Sequence, residues 1–216
     1  MKFHHHTLPY LAALTLGLLA MPGTTYSADE EAPGCCKEKQ AATDAEGSIY
    51  DLDAVWTNQH GKELKLADLK GQPVLLTIGY ASCQFACPRL VADLMAIERG
   101  LSESERKQVA IVFVSIDPTN DTPEKLGEFF KQYHVDQSRW SGLRGDSGNV
   151  LELSVALGAR YRKLENGDFA HSNLITLIDA DGSIVHRQEG LGIAPNATIK
   201  ALRGILPSPT DTNAKP

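Results

Sequence analysis

The run PVLLTIGYASCQFACPRLVADL, residues 73–94, decides the fold. Its first half, PVLLTIGY, is a near-continuous apolar stretch, the pattern of a strand buried on both faces of a parallel sheet. Its second half changes period. Leu90, Val91, Leu94, Ile97 and Leu101 recur at helical spacing, and Pro88 suits the first position of a helix. Two cysteines, Cys83 and Cys87, stand four apart where one pattern gives way to the other.

Outward from this run, strand and helix signals alternate. VAIVFVSI, residues 109–116, reads as a second buried strand. DTPEKLGEFFKQY, residues 121–133, opens a helix with Thr122 as cap and Pro123 at its first position. GDSGNVLELSVALG predicts another helix, ending near Gly158, and a last one runs from about Pro195 to Ile205. NLITLIDADGSIVHR, residues 173–187, reads as two strands about an Asp-Gly turn. Upstream, SIYDLDAVW alternates as a strand does, and NQHG turns the chain after it, giving an N-terminal β-hairpin extension. Two buried strands joined by a helix require a right-handed crossover and parallel pairing. The order strand, helix, strand, helix, helix, hairpin, helix matches an α/β thioredoxin-like sandwich: a central mixed sheet flanked by helices.

The 216 residues are 42% hydrophobic and 22% charged, which fits one globular domain with extra segments at its ends. Net charge is −6 and no Lys/Arg-rich block occurs, which excludes a nucleic-acid surface. Residues 1–27 read as an export signal, with an apolar run of 14 residues from Leu8 to Met21, shorter than the ~20 a spanning helix needs. A soluble periplasmic location follows, with no stable membrane insertion after cleavage; an inner-membrane anchor formed by the uncleaved segment is the alternative. Residues 28–46 are polar, aperiodic and read as a flexible tail, residues 47–206 as the folded domain, and residues 207–216 as a second tail.

All four cysteines lie beyond the leader, in an oxidising compartment if the chain is exported. Both pairs are so local that bridging either restrains little of the unfolded chain, so stability is a weak reason for them. Cys83 and Cys87 fall just past the carboxyl end of the first buried strand, where open α/β sheets place their sites. Cys87, just before Pro88, reads as the cap of the following helix, where unpaired amides and the positive dipole end favour a thiolate. C-x-x-x-C alone leaves a plain disulfide, a redox pair and two arms of a metal site all open. His171, in the loop leading to the hairpin, changes the balance. Disulfide exchangers of this fold carry a proline on that approach, whereas no proline occurs here between Gly158 and Ile193. Two thiolates and one imidazole make a soft three-donor set, suited to Cu(I) and tolerable for Cu(II).

GYASCQFACPRLVADL, VSIDPTNDTPEKL and AHSNLITLIDADGSI resemble, in order and spacing, the three signature blocks of the Sco/SenC family of copper-binding, thioredoxin-fold proteins. The resemblance spans roughly Ile49 to Leu206. It implies copper as the bound metal, Cys83, Cys87 and His171 as its ligands, and Asp117-Pro118 as the loop flanking them. It also implies a client protein with copper-binding thiols, subunit II of cytochrome c oxidase in the family. The family pattern places proline after the first cysteine and often an acidic residue next; Gln84 and Phe85 stand there in this chain.

Two readings follow. One is a metallochaperone whose copper leaves when Cys83 and Cys87 oxidise to a disulfide. The other is a thiol–disulfide oxidoreductase in which Cys83 attacks, Cys87 resolves and His171 tunes the thiolate. Asp117 reads as a loop-positioning acceptor, or as one that supports a ligand. Cys35-Cys36, in the tail, reads as an accessory thiol pair exchanging copper or a disulfide with Cys83 and Cys87. His60 reads as a turn residue, His134 and His186 as exposed residues at element ends, and Met95 as core.

Overall fold

Runs such as VLLTIG and AIVFVS leave almost no polar face, so they are satisfied only where both faces of a sheet are covered. A computed structural model, describing residues 47–207, places them at the sheet centre. In chain order the strands and helices are β1 (Val55–Asn58), β2 (Glu63–Lys65), β3 (Val74–Gly79), α1 (Ala86–Arg99), α2 (Glu103–Arg106), β4 (Ala110–Ser115) and α3 (Pro123–Gln132). There follow β5 (Trp140–Arg144), α4 (Ser147–Leu157), β6 (Tyr161–Lys163), β7 (Phe169–His171), β8 (Leu174–Ile178), β9 (Ile184–Glu189) and α5 (Asn196–Ile205).

Seven strands form one mixed sheet in the order β2-β1-β5-β4-β3-β8-β9, while β6 and β7 pair separately. β3 and β4 run parallel from Val74↔Ala110 to Gly79↔Ser115, as the crossover requires. β8 returns antiparallel to β3 and continues through the Asp181-Gly182 turn into β9. This is the thioredoxin-like sandwich, a central mixed sheet with helices against it. The N-terminal hairpin, β1 and β2, joins its far edge through β5. Buried Gln59 extends that junction with its side chain: Nε2 donates to the Trp140 carbonyl at 2.8 Å, and Oε1 accepts the Gly142 N–H at 3.0 Å.

Helix boundaries follow the local chemistry. Thr122 caps α3, its hydroxyl accepting the Lys125 N–H, with Pro123 at the first position. Gly158 ends α4 in the left-handed conformation at φ 71°. The apolar stripe of α1 is fully buried at Leu90, Val91, Leu94 and Ile97, and Met95 packs half-buried against the same core. The side chains of Trp56, Trp140, Phe113 and Phe130 are buried without residue.

Three expectations change, and three strands are added. The alternation in SIYDLDAVW is not all strand: Ile49–Asp51 form a 3-10 turn, and only Val55–Asn58 is β. The cause is a capping box, in which the Ser48 hydroxyl accepts the Tyr50 N–H and the Asp51 carboxylate accepts the Ser48 N–H. α1 begins two residues earlier than Pro88 indicates, at Ala86 with Phe85 as cap, so Cys87 sits inside the first turn rather than at the cap. His186 lies inside β9, half-buried, with Nε2 3.1 Å from the Thr198 hydroxyl. β5 and the β6–β7 pair lack a sequence signal of their own. The leader, residues 28–46 with Cys35 and Cys36, and residues 208–216 lie outside the described residues. Among the described residues no helix is long and apolar enough to cross a membrane.

Candidate metal centre

The central strand delivers the first two donors. β3 ends at Gly79, and a Cβ there would stand 2.8 Å from both Cys87 Sγ and the Phe113 ring. Only a residue without a side chain lets that sulfur sit against the strand end. The Tyr80 N–H then donates to Cys87 Sγ at 3.3 Å, and the Cys87 N–H donates to Cys83 Sγ at 3.4 Å. Both thiols are free; Cys87 is fully buried, and Cys83 opens onto a cavity of about 310 Å³.

This arrangement makes the two thiols unequal. The Cys87 thiol donates to Cys83, and the first amides of α1, from Phe85, Ala86 and Cys87, converge on the same sulfur. Together they outweigh burial and pull the Cys83 thiol down to about 4. Cys87 is pushed far up by giving its proton to that bond and by its burial, against which the Tyr80 N–H works. The reduced site is therefore a thiolate at Cys83 and a thiol at Cys87. Placing the helix cap at Cys87 puts the thiolate there; moving the helix start to Ala86 transfers the amides' benefit to Cys83.

The third donor comes from the separate two-stranded pair. His171 closes β7, with Nε2 3.6 Å from Cys87 Sγ. Its Nδ1 lies 3.0 Å from the Ser172 carbonyl, which can only accept, so Nδ1 carries a hydrogen and Nε2 is the nitrogen turned to the sulfurs. Tyr80 packs its ring edge-on to the imidazole, with centroids 6.1 Å apart, and its hydroxyl accepts the Phe169 N–H of the same strand. The two sulfurs and the nitrogen all lie within 4.8 Å of one another. Ligand atoms about 2.0–2.3 Å from one cation are at most roughly 4.6 Å apart, so a few tenths of an ångström of closure let these three hold a single ion. Thiolate and imidazole are the soft donors that favour copper among first-row metals.

Asp117 bonds within its own loop, as a loop-positioning residue does. Its carboxylate accepts from the Asn120 side-chain amide at 2.8 Å, and its backbone N–H donates to the Ser115 hydroxyl. The carboxylate that reaches the cysteine loop is that of Asp121, which is buried and accepts from Ala81 N–H at 3.0 Å and Ser115 hydroxyl at 2.6 Å. Its pKa is raised by burial, against the pull of those two donors. Sequence reading missed Asp121 and Tyr80. The one available signal for Asp121 was its place immediately before the Thr122 cap, where the chain folds back beside the end of β4. His60 lies in the turn after β1, and His134 follows α3 with φ 54°; neither approaches the thiols.

Known proteins share this arrangement of chain. The SCO1 protein homolog of Bacillus subtilis is 29% identical over 150 residues, covering 68% of this chain and 77% of that protein. The structure of a SCO1/SenC family lipoprotein from Bacillus anthracis matches with a TM-score of 0.65 and 29% identity, over 73% of this chain and 95% of the other. Bradyrhizobium japonicum ScoI, solved with copper bound, matches with a TM-score of 0.61 and 27% identity, over 71% of this chain and 97% of that one. The SCO1/SenC family profile itself covers residues 40–206, from ahead of the first strand to the last helix, and so this chain belongs to the SCO1/SenC family.

Proposed function

We propose that this protein is an exported copper chaperone that carries one copper ion on Cys83, Cys87 and His171 and surrenders it to the thiols of a client. The observation that carries the reading is the convergence of two sulfurs and a preset imidazole nitrogen on one point. Residues 47–206 are its working domain, residues 1–27 its leader, and residues 28–46 and 207–216 its tails. The family resemblance adds the client: a copper-accepting cuproenzyme, with subunit II of cytochrome c oxidase the first candidate. Bound Cu(I) is cargo. An incoming thiolate displaces one donor at a time, which the opening at Cys83 allows. Oxidation of both cysteines joins their sulfurs, passes two electrons to a disulfide of the client or its surroundings, and removes two of the three donors at once. Release is thus gated by redox state.

A second reading, a thiol–disulfide oxidoreductase, draws on the inequality of the thiols. A thiolate at Cys83, which lines the cavity, before a fully enclosed thiol at Cys87 is the order of an attacking and a resolving group. One experiment separates the two. Oxygen-free reduced protein, titrated against a Cu(I) chelator, takes up one equivalent at this site. His171→Ala weakens that binding by more than the roughly 10–100-fold lost when only an outer partner of a ligand is removed. If the variant instead keeps its copper affinity while reduction of a protein disulfide collapses, the oxidoreductase reading replaces the chaperone.

A further inference from the structure

Tyr80 meets every donor of the candidate centre. Its backbone N–H donates to Cys87 Sγ at 3.3 Å, and its carbonyl accepts the Cys83 N–H at 3.2 Å. Its ring stands edge-on to the His171 imidazole. The two backbone bonds ask little of the side chain, since any residue but proline supplies them. The hydroxyl is different. It accepts the Phe169 N–H at 3.4 Å, two residues before His171 on β7. Of the aromatic side chains built on a six-membered ring, tyrosine alone carries an oxygen to offer there.

That bond counts because little else holds β7 in place. The β6–β7 pair shares no ladder with the main sheet. No residue from Tyr161 to His171 is fully buried. Of these, Tyr161 and Phe169 pack partly buried against the core, Phe169 with its ring 5.2 Å from that of Tyr80, centroid to centroid. No ion pair among the described residues involves this segment. Among the described residues, 160–172 make two hydrogen-bonded contacts with the rest of the chain: Phe169 N–H with the Tyr80 hydroxyl, and His171 Nε2 with Cys87 Sγ at 3.6 Å. The second joins two proposed ligands, so it is the contact that a bound ion replaces. The first does not depend on the metal.

We infer that Tyr80 is a positioning residue of this site: its hydroxyl pins the β7 backbone to the cysteine loop and so presets the His171 imidazole against the two sulfurs. The inference rests on the reading of Cys83, Cys87 and His171 as one copper site. It accounts for how the third donor, carried on a segment with scarcely any burial, is held in range before the ion arrives. Ordering that segment in advance removes a cost that binding otherwise carries.

The test is Tyr80→Phe, which keeps the ring and deletes the oxygen, in the full chain carrying Cys35→Ser and Cys36→Ser so that the tail thiols take up no copper. The first readout uses no metal. Amide hydrogen exchange of the reduced protein, followed by nuclear magnetic resonance, shows Phe169 exchanging roughly two- to tenfold faster in the variant, while Val112 and Phe113 at the sheet centre are unchanged. An equal rate at Phe169 overturns the inference. The second readout is a double-mutant cycle on Cu(I) affinity, measured by competition with a chelator. Tyr80→Phe lowers the affinity roughly two- to tenfold when His171 is present and leaves it unchanged in the His171→Ala background, where no imidazole remains to be positioned. An equal loss in both backgrounds overturns the inference and makes Tyr80 a general prop of the cysteine loop. Intact Cu(I) affinity in His171→Ala alone overturns the copper reading and with it the part Tyr80 plays in loading, whereas faster Phe169 exchange still supports the tie to β7.

Discussion

The hydrogen between Cys83 and Cys87 is placed by backbone, and its placement governs reactivity. Three amides at the start of α1 and the Cys87 thiol all serve the sulfur of Cys83. With the Cys83 thiol near 4, the thiolate is populated from neutral pH down to about that value and is lost only below it. In protein lacking Cys35 and Cys36, alkylation of Cys83 by iodoacetamide, followed by mass spectrometry, is therefore flat from about pH 8 to 5 and falls below about pH 4. Cys87→Ala removes one donor and moves the inflection up towards the ordinary thiol range. That Cys83, Cys87 and His171 meet was legible from spacing and family pattern, since C-x-x-x-C and a histidine ahead of the hairpin survive in sequence as types at intervals. Which sulfur is ionised was not legible. It depends on whether the helix starts at residue 86 or 88, and two residues of boundary lie within the ordinary fraying of such assignments.

At the scale of elements, the packing of α5 against the α1–α2 corner rests on Arg203. Its Nε donates to Glu105 Oε1 at 2.7 Å, and one terminal nitrogen donates to Glu105 Oε2 at 3.2 Å and to the Gly100 carbonyl at 3.0 Å. The guanidinium bond and the Ser102 N–H hold the Glu105 carboxyl down at about 2. A carboxyl lowered on folding contributes stability above its unfolded value, near 4.3, and loses it as pH falls through about 2. Arg203→Ala is expected to lower the melting temperature by roughly 1–3 °C at pH 7, an exposed pair being weak. The gap from wild type narrows as melting is repeated from pH 5 down to 2. Elements with long periodic patterns, β3, β4, α1, α3 and α4, were readable because burial of one face writes itself into sequence. β5 was not. Its Ser141 and Gly142 break the apolar run, and a Cβ at Gly142 would lie 3.0 Å from the Phe130 ring of α3, tighter than ordinary contact. A tertiary contact, not a strand propensity, chose that residue.

For the molecule as a whole, the proposed cargo couples to stability. An ion that binds only the folded chain stabilises it by about 4 kcal/mol at a thousandfold its dissociation constant. Scanning calorimetry of the reduced protein under nitrogen should show Cu(I) raising the melting temperature by roughly 10 °C. His171→Ala gives a smaller rise at the same free metal. Topology was legible at this scale because β-α-β handedness and an Asp-Gly hairpin leave few alternatives. The separate β6–β7 pair was not, because its short strands carry mostly charged and polar residues that satisfy no buried face. That pair has a further meaning for the proposed copper site. Both sulfurs stand between the end of β3 and the first turn of α1, Cys83 in the loop and Cys87 in the helix, whereas the imidazole rides on a ribbon that shares no ladder with the main sheet. The jaws are unequally mounted, sulfur between the main sheet and its first helix and nitrogen on the ribbon, so a client that displaced the ribbon would take the nitrogen away and leave every ladder of the main sheet intact.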